Sequence, residues 1–375
     1  MTASPPAAAD ITSLTKTLRQ VHRAASELRR GVPVLLEGAE PLLLLAAETA
    51  GAESLAEFLS LGSGPAMVLF APVRGAAVLR QPIDPAATVT AALLPAPLAN
   101  PDALRGLADP TARQAATAGM TRMEPPAGAA VAIALAKLGR LLPAVLAMPV
   151  AAASLPTIAA HAIISVRPDD VLASPGLEGS GLRIVTSAPV PLADARDSRV
   201  VAFRTEGSAV EHLAIVVGRP EEDAAPLVRI HSECFTGDLL GSMRCDCGEQ
   251  LRGAIQRMAS EGSGIVLYLA QEGRGIGLVN KLRAYNLQDR GLDTLDANRV
   301  LGWGADERNF LVGAHMLLAL GIPRVRLLTN NPDKLAGLAA CGIEVLGREA
   351  HAFESNEVND GYLSTKAVRF GHMLD

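Results

Sequence analysis

The chain has 375 residues, of which 49% are hydrophobic and 19% charged, and its net charge is −5 at neutral pH. This length and composition exclude a disordered chain and allow two globular domains, each with its own core. The basic residues form no stripe, no apolar run reaches about 18 residues, and the N-terminus lacks the pattern of a secretory signal, so we expect no nucleic-acid partner, membrane span or secretion.

The first 150 residues are dominated by Ala, Leu, Pro and Gly, and proline interrupts their apolar stretches, which favours core helices and strands. Residues 167–198 then carry many turn-forming residues and one strand candidate at 182–185. The charged and motif-dense segments follow. This change in composition predicts two domains, 1–185 and 186–375.

The second half alternates predicted strands with predicted helices. Four short apolar runs are typical of buried strands: HLAIVVG, PLVRIHS, GIVLYLA and VRLLTNN. The length and apolar spacing of other segments predict helices over 249–261, 278–290, 305–320 and 332–341. The alternation predicts an α/β domain in which helices cover a sheet.

Three of the four cysteines, Cys234, Cys245 and Cys247, share one segment with the spacing C-x10-C-x-C. A structural zinc usually takes four protein ligands, whereas a catalytic zinc takes three and leaves one position open. Cys341 lies in an apolar stretch, where we expect a small buried side chain. The spacing therefore predicts an open zinc site that binds and deprotonates water, in a reducing compartment such as the cytoplasm.

Two turns that follow predicted strands are candidate phosphate sites. QEGRG places Glu272, Gly273 and Arg274 where backbone N–H groups and a guanidinium can meet an anion. TNNPDK places Thr329 at a strand end and Lys334 at a helix start. The alternatives are an ordinary turn for the first and a helix cap for the second.

Four further residues each have a functional and a structural interpretation. Asp306 and Arg308, two apart in ADERNF, either reach one cleft or form a surface pair. Tyr285 either stacks on a nucleobase or packs at the core edge of a helix whose surface carries basic residues such as Arg283. A supporting or structural role is favoured over metal ligation for His231, because the cysteines already complete a three-ligand site.

Six segments occur in a characteristic order between about residues 190 and 375. They are RIHSECFTGD, SMRCDCGEQL, QEGRGIGL, KLRAYNLQD, ADERNF and LLTNNPDK. In this order they closely resemble GTP cyclohydrolase II. The resemblance implies zinc-dependent hydrolysis of GTP to 2,5-diamino-6-(5-phosphoribosylamino)pyrimidin-4(3H)-one, formate and pyrophosphate, which begins riboflavin biosynthesis. It also implies a three-layer α/β domain with a mixed sheet, Mg²⁺ on the GTP phosphates and a homodimer.

The resemblance assigns roles residue by residue, with zinc on the three cysteines. It implies that Arg308 attacks the α-phosphate to form a guanylyl intermediate and expel pyrophosphate, with Asp306 as proton acceptor. Tyr285 would lie near the purine and assist ring opening. The GTP contacts that it implies are Arg229, Ile230, His231, Ser232, Glu233, Gln250, Glu272, Gly273, Arg274, Thr294, Thr329 and Lys334.

Two positions beside the phosphate turn depart from the family's common pattern. Ala270 stands where relatives commonly carry a basic residue, and Gly275 stands where Asn often follows Gly-Arg. These changes could weaken GTP binding. Every residue assigned to metal binding and catalysis is present, however, so we expect an active domain.

Residues 20–150 resemble 3,4-dihydroxy-2-butanone 4-phosphate synthase through ELRRGVPVLL, LLLLAAETA and RGLADPTAR, which implies an α+β domain. Working relatives carry an acidic metal-binding loop where this chain has EGAEPLLLL, and Gly-His-Thr-Glu where it has AGAA at 127–130. Glu37 and Glu40 are either remnants of a metal site or solvated side chains. We expect a non-catalytic domain that serves dimerisation or interdomain packing.

Two alternatives compete for the whole chain. One is a bifunctional enzyme that also makes 3,4-dihydroxy-2-butanone 4-phosphate, and the other is a catalytically silent GTP-binding protein whose zinc is structural. The second is disfavoured because Asp306, Arg308 and all three thiols are retained. A zinc-ribbon nucleic-acid module is weaker still, since it needs four ligands and a basic face.

Overall fold

The computed structural model of the protein describes residues 8–179 and 181–351, which form two compact units. The first unit combines residues up to Pro175 with the segment Val279–Glu307, and the second combines Gly176–Leu278 with the chain from Arg308 onward. Each unit is built on one mixed sheet of seven strands. Within the described residues, no helix is both long and apolar enough to cross a membrane.

Helices and strands follow one another throughout both units. In chain order they are α1 (Ala8–Arg29), β1 (Val34–Leu36), β2 (Leu42–Ala46), α2 (Ala52–Leu61), β3 (Met67–Phe70), α3 (Pro72–Leu79), β4 (Thr90–Leu93), α4 (Pro101–Ala108), β5 (Arg122–Met123), α5 (Ala129–Leu138), β6 (Ala144–Pro149), α6 (Leu155–Ala160), β7 (Ile164–Val166), α7 (Pro168–Leu177), β8 (Leu182–Pro189), β9 (Ser198–Thr205), β10 (Glu211–Val217), β11 (Leu227–Ser232), α8 (Cys247–Glu261), β12 (Gly264–Leu269), α9 (Leu278–Gln288), α10 (Thr294–Val300), α11 (Leu311–Ala319), β13 (Arg324–Leu328), α12 (Pro332–Ala340) and β14 (Glu344–Glu349).

The sheet of the first unit has the strand order β5-β4-β3-β6-β2-β1-β7. The β1–β7 pair is parallel, whereas the other pairs are antiparallel. All five residues of β2 are buried, which is typical of an apolar strand covered on both faces. On α1, Val21, Ala24 and Leu28 recur at helical spacing and join α5 in the core, so these two helices cover the sheet.

The sheet of the second unit has the order β14-β13-β11-β12-β10-β9-β8, in which β11 to β14 are parallel and β8 to β10 are antiparallel. Side chains of β12 alternate between its faces. Leu267 packs in a core that includes α11 and α12, whereas Val266 packs in a core that includes α8. Helices therefore cover both faces, which confirms the predicted α/β layer architecture with a mixed sheet.

Two elements of the second unit differ from the sequence prediction. The helix predicted over 305–320 begins only at Leu311, because Asn309 Oδ1 accepts a hydrogen bond from the Leu311 N–H at 3.1 Å and ends the irregular segment before it. The strand predicted at 182–185 extends to Pro189, and its neighbour β9 lay outside the prediction. Most of β8 is exposed on both faces, so it lacks the apolar pattern that predicts strands.

The compact units also differ from the single boundary predicted near residue 185. They divide at Pro175 and Gly176, and the chain returns to the first unit over Val279–Glu307. Arg283 provides one physical reason, because it forms ion pairs with Glu48 and Asp109 of that unit. Such pairs join residues that are far apart in sequence.

Candidate active site

Three cysteine thiols meet beyond the end of β11. Cys234 follows that strand, Cys247 is the first residue of α8, and Cys245 lies in the loop before it. Their sulfur atoms all lie within 4.8 Å of one another, and the Cys234 and Cys245 sulfurs are 3.7 Å apart. All three are free cysteines, so the structure brings together the trio that the sequence singled out.

Gly237 lines the space among these thiols. It lies in a single wide helical turn, Phe235–Leu239, and donates its N–H to Cys234 Sγ at 3.3 Å. A Cβ atom at this position would lie 2.8 Å from Cys245 Sγ and 3.0 Å from Cys234 Sγ, so only glycine leaves the space open. Three soft sulfur ligands around such a space fit a zinc ion with one open position.

Without a cation, the cluster disfavours thiolates. Hydrogen bonding with Cys234 and Cys245, followed by burial, raises the pKa of the Cys247 thiol well above its ordinary value. Hydrogen bonding with Cys234 also raises the pKa of Cys245. A divalent metal opposes this effect by stabilising negative charge on its ligands, and its binding releases protons.

Asp238 organises the chain around Cys234, although the sequence analysis did not select it. Its Oδ2 accepts hydrogen bonds from the Cys234 N–H and the Tyr268 hydroxyl, both at 2.9 Å. His231 Nε2 lies 3.1 Å from Oδ1 and stacks its ring on Tyr268, with the centroids 5.6 Å apart. Burial lowers the pKa of His231, outweighing the carboxylate beside it. His231 therefore supports the cysteine loop through Asp238.

The glycine-rich turn after β12 is fastened to the same loop. Glu272 is buried, and its carboxylate accepts the Phe235 N–H at 2.6 Å and the Gly273 N–H at 3.0 Å. Gly273 and Arg274 both have left-handed backbone, with φ of 63° and 64°. Arginine rarely adopts this conformation, and consecutive N–H groups in such turns form anion-binding concavities. The Gly273 N–H is already used by Glu272 and the Gly275 N–H by the Gln271 carbonyl, so the side chain of Arg274 is the group of this turn that can meet an anion.

Buried polar atoms accumulate in the second unit near these turns. Arg229 donates to Gln250 Oε1 and to the Leu328 carbonyl, while burial lowers its pKa to about 10. Of the buried side-chain atoms that have no partner among the described residues, three belong to the second unit: Arg229 Nε, Ser232 Oγ and Gln271 Oε1. Because buried polar groups are nearly always hydrogen-bonded, these atoms point to a polar ligand.

Two cationic side chains, Arg308 and Lys334, lie near the ring of Phe310. The Arg308 guanidinium carbon is 5.0 Å from the Phe310 ring centroid, and Lys334 Nζ is 5.9 Å from it. Lys334 also donates to the Ile230 carbonyl at 2.8 Å, while the Thr329 hydroxyl accepts the Asn331 N–H at 3.1 Å. Sequence reasoning missed Phe310, although it is the aromatic residue of the motif ADERNF.

These segments follow the carboxyl ends of parallel strands. The cysteine loop follows β11, the glycine-rich turn follows β12, and the Thr329 segment follows β13. Open α/β sheets bind ligands at this edge. The topology therefore gathers the metal-binding thiols, the glycine-rich turn and Lys334 at one edge of the second unit.

Three predicted site residues belong to the first unit. Tyr285 lies on α9, with Lys281 Nζ 5.8 Å from its ring centroid. Thr294 begins α10 and accepts a hydrogen bond from Gln288 Nε2 at 3.1 Å. Asp306 is partly buried in the irregular segment after α10.

The segments of the first unit that correspond in sequence to the site of a working synthase pack in an apolar core. Leu36 and Leu42, on either side of the shortened loop, pack in one core with Ala129 at the start of α5. Glu37 accepts a hydrogen bond from Ser165 Oγ, and Glu40 is exposed. In the described part of the chain, only the three cysteines form a group of His, Cys, Asp or Glu side chains close enough to share one metal ion.

Comparison with known proteins identifies relatives along both halves of the chain. The family model described as GTP cyclohydrolase II matches residues 182–350. A GTP cyclohydrolase-2 of Azospirillum brasilense is 46% identical, covering 95% of this chain and 94% of the relative. A GTP cyclohydrolase-2 of Xylella fastidiosa is 38% identical over 96% of this chain and 88% of the relative. The riboflavin biosynthesis protein RibBA of Parabacteroides distasonis is 49% identical over 47% of this chain and 44% of the relative.

Solved structures give more distant likenesses. RibBX of A. baumannii, a two-domain 3,4-dihydroxy-2-butanone 4-phosphate synthase, is 16% identical with a TM-score of 0.34 and covers 88% of this chain and 99% of its own. The 3,4-dihydroxy-2-butanone 4-phosphate synthase of Candida albicans is 17% identical with a TM-score of 0.32 and covers 40% of this chain and 95% of its own.

Proposed function

The chain belongs to the GTP cyclohydrolase II family of riboflavin biosynthesis, and on this premise we propose that its second unit contains a zinc site for the hydrolysis of GTP. The proposed products are 2,5-diamino-6-(5-phosphoribosylamino)pyrimidin-4(3H)-one, formate and pyrophosphate. The observation that carries the proposal is the cluster of Cys234, Cys245 and Cys247 around the open space at Gly237. When bound by these thiolates, zinc supplies Lewis acidity that lowers the pKa of water for attack at the purine C8.

The chain's own residues bind and orient the triphosphate in this proposal. The guanidinium of Arg274 provides positive charge and hydrogen-bond donors for phosphate oxygens. Lys334 and Thr329 add donors from the end of β13. The unpartnered Arg229 Nε and Ser232 Oγ are suited to hydrogen-bond a polar group of the nucleotide. Mg²⁺ accompanies the phosphates, because it binds phosphate oxygens while retaining water ligands.

Arg308 is the proposed nucleophile toward the α-phosphate. Its guanidinium nitrogen forms a bond to phosphorus, the bond to the pyrophosphate oxygen breaks, and the proton leaves toward Asp306. A guanidinium keeps its proton at neutral pH, so this proton acceptor is necessary. Phe310 beside Arg308 restricts where the guanidinium lies. Water then cleaves the arginine–phosphorus bond and regenerates Arg308, while Tyr285 assists opening of the imidazole ring.

The first unit is proposed to lack synthase activity. The short loop EGAEPLLLL stands where working synthases carry their acidic loop, and AGAA at 127–130 stands where they carry Gly-His-Thr-Glu, so the carboxylates and the histidine of that chemistry are missing there. We further propose that the protein acts as a homodimer in the cytoplasm, where reduced thiols remain available to metal.

The test is product analysis on the full-length protein loaded with Zn²⁺ and Mg²⁺. GTP should yield formate, pyrophosphate and the diaminopyrimidine, whereas Cys245→Ser should lose both zinc and turnover. Cys341→Ser is the matched control, since Cys341 packs on the core away from the thiol cluster. Turnover by Cys245→Ser at the wild-type rate would refute the zinc site. Formation of the butanone phosphate from ribulose 5-phosphate and Mg²⁺ would instead establish a bifunctional enzyme.

A further inference from the structure

The first unit contains a partly buried charge cluster that has no part in binding zinc or phosphate. Arg283 on α9 donates from Nη2 to Glu48 Oε1 at 2.8 Å and from Nε to Asp109 Oδ2 at 2.7 Å. These three side chains, here called the Arg283 cluster, are between 14% and 16% exposed. The helical pattern had suggested that Arg283 lies on the surface, and these ion pairs correct that expectation.

Both carboxylates of the cluster are held by the body of the first unit. The second oxygen of Glu48 accepts the Leu142 N–H at 2.7 Å. The second oxygen of Asp109 accepts the Thr111 N–H at 2.8 Å and the Thr111 hydroxyl at 2.6 Å. Burial raises the pKa of Asp109, but the bonds from Thr111 and the charge of Arg283 outweigh burial and hold it below its ordinary value. Both carboxylates are therefore held in place by hydrogen bonds that do not involve Arg283.

Further contacts join the two ends of Val279–Glu307 to the first unit. Near its start, buried Asn280 accepts from Arg283 Nη1 at 2.8 Å and donates to the Arg140 carbonyl at 2.9 Å. At its end, Glu307 forms an ion pair with Lys137 at 2.7 Å. Between these ends, the backbone at Gly302 passes close to Ala71 of the same unit. A Cβ atom at Gly302 would lie 2.8 Å from the Ala71 Cβ.

Withdrawing three charges partly from water contributes little to stability, because desolvation offsets most of the attraction between them. A forked guanidinium between two fixed carboxylates does, however, define the rotation and register of its helix. The segment so oriented carries Tyr285, Thr294 and Asp306. We propose that the Arg283 cluster positions this segment for GTP hydrolysis, with Glu48 and Asp109 as positioning residues supplied by the otherwise non-catalytic first unit. The inference rests on the proposed function, which gives those three residues their roles.

The direct test is the double variant Glu48→Gln, Asp109→Asn in the full-length, zinc-loaded enzyme. We expect kcat for GTP to fall about 10- to 100-fold, since small displacements of catalytic groups have effects of that size. KM should change less, because most of the proposed GTP contacts belong to the second unit. Zinc content should stay at the wild-type value. Asp102→Asn is the control, because it removes an exposed ion pair with Arg105 next to the same region.

Trp303 gives a readout that is independent of turnover. It is the only tryptophan of the chain and lies buried in the positioned segment, with Lys137 Nζ 5.4 Å from its ring centroid. Its fluorescence should shift to longer wavelength in the double variant and stay unchanged in Asp102→Asn. If the double variant fails to fold, Arg283→Lys serves instead. It keeps the charge but loses the fork, so kcat should again fall more than KM changes.

The outcomes separate this inference from the function on which it rests. A wild-type enzyme that turns over GTP and a folded double variant that matches its kcat within twofold would overturn the inference alone. An equal loss of kcat in Asp102→Asn would also overturn it, since the effect would not belong to the cluster. If the zinc-loaded wild type does not turn over GTP, the proposed function fails and this inference fails with it.

Discussion

Asp238 connects three side chains around the proposed metal site. One carboxylate oxygen accepts from both the Cys234 N–H and the Tyr268 hydroxyl, and the carboxylate also meets His231 Nε2. Groups that orient metal ligands through hydrogen bonds commonly affect metal affinity almost as strongly as the ligands themselves. Asp238 thus holds the conformation of the chain that presents Cys234.

Asp238→Asn should lower the affinity of the protein for zinc by about 10- to 100-fold. The amide keeps the size of the carboxylate but has one acceptor oxygen, so its NH₂ group faces donors and the Cys234 loop loses support. Competition with a chromophoric chelator measures the affinity. Asp194→Asn is the control, because Asp194 is exposed in the same unit. Equal zinc affinity in both variants would show that Asp238 does not support the site.

The sequence predicted the three-cysteine site because metal ligands that lie close in sequence form a recognisable spacing. The structure brings the three thiols together. The sequence could not reveal Asp238 or Phe310 in the same way. Asp238 meets Tyr268 on another strand, and Phe310 meets Lys334 on another segment. These contacts depend on tertiary packing, for which no local pattern exists.

At the scale of elements, the turn after β12 combines an unfavourable backbone with a proposed function. Arg274 has φ of 64°, a region that costs a side-chain-bearing residue about 1 kcal/mol or more. Glu272 fixes this turn to the cysteine loop through the Phe235 N–H. Strained residues that persist in a well-tied turn commonly serve binding.

Arg274→Gly should raise KM for GTP about 10-fold while leaving the melting temperature close to that of the wild type. A lost charge-assisted hydrogen bond accounts for about 1.5 to 3 kcal/mol of binding, and glycine adopts the same backbone without a side-chain penalty. Steady-state kinetics and thermal melting measure the two effects. Arg80→Gly is the matched control, since Arg80 is exposed and also left-handed, with φ of 53°. If both variants have the wild-type KM, Arg274 does not bind the phosphates.

Elements were predicted well where apolar patterns are strong. Strands β11, β12 and β13 of the parallel part of the second sheet matched short apolar runs, because both of their faces are covered. The helix predicted over 305–320 was too long, since apolar spacing does not register the Asn309 hydrogen bond that precedes Leu311. The strand predicted at 182–185 was too short, because the rest of β8 is exposed at the edge of the sheet and has no apolar pattern.

In the whole molecule, the chain forms two compact units, and each is assembled from two separate stretches of sequence. Composition indicated two domains but not the return of Val279–Glu307 to the first unit. Ion pairs such as that of Arg283 with Glu48 hold this segment to the first unit. The two residues are separated in the sequence by roughly the length of a domain. The first unit, which is proposed to lack synthase activity, thus holds in place residues that are proposed to act on GTP.

The most direct test of the central claim is to remove zinc from the full-length enzyme and restore it stepwise while formate release from GTP is measured. We expect no turnover without zinc, and a linear rise in turnover that ends at one zinc per chain. Cys245→Ser should show no such rise. Formate release at the wild-type rate by the zinc-free protein would contradict the claim that the cysteine cluster is a catalytic zinc site.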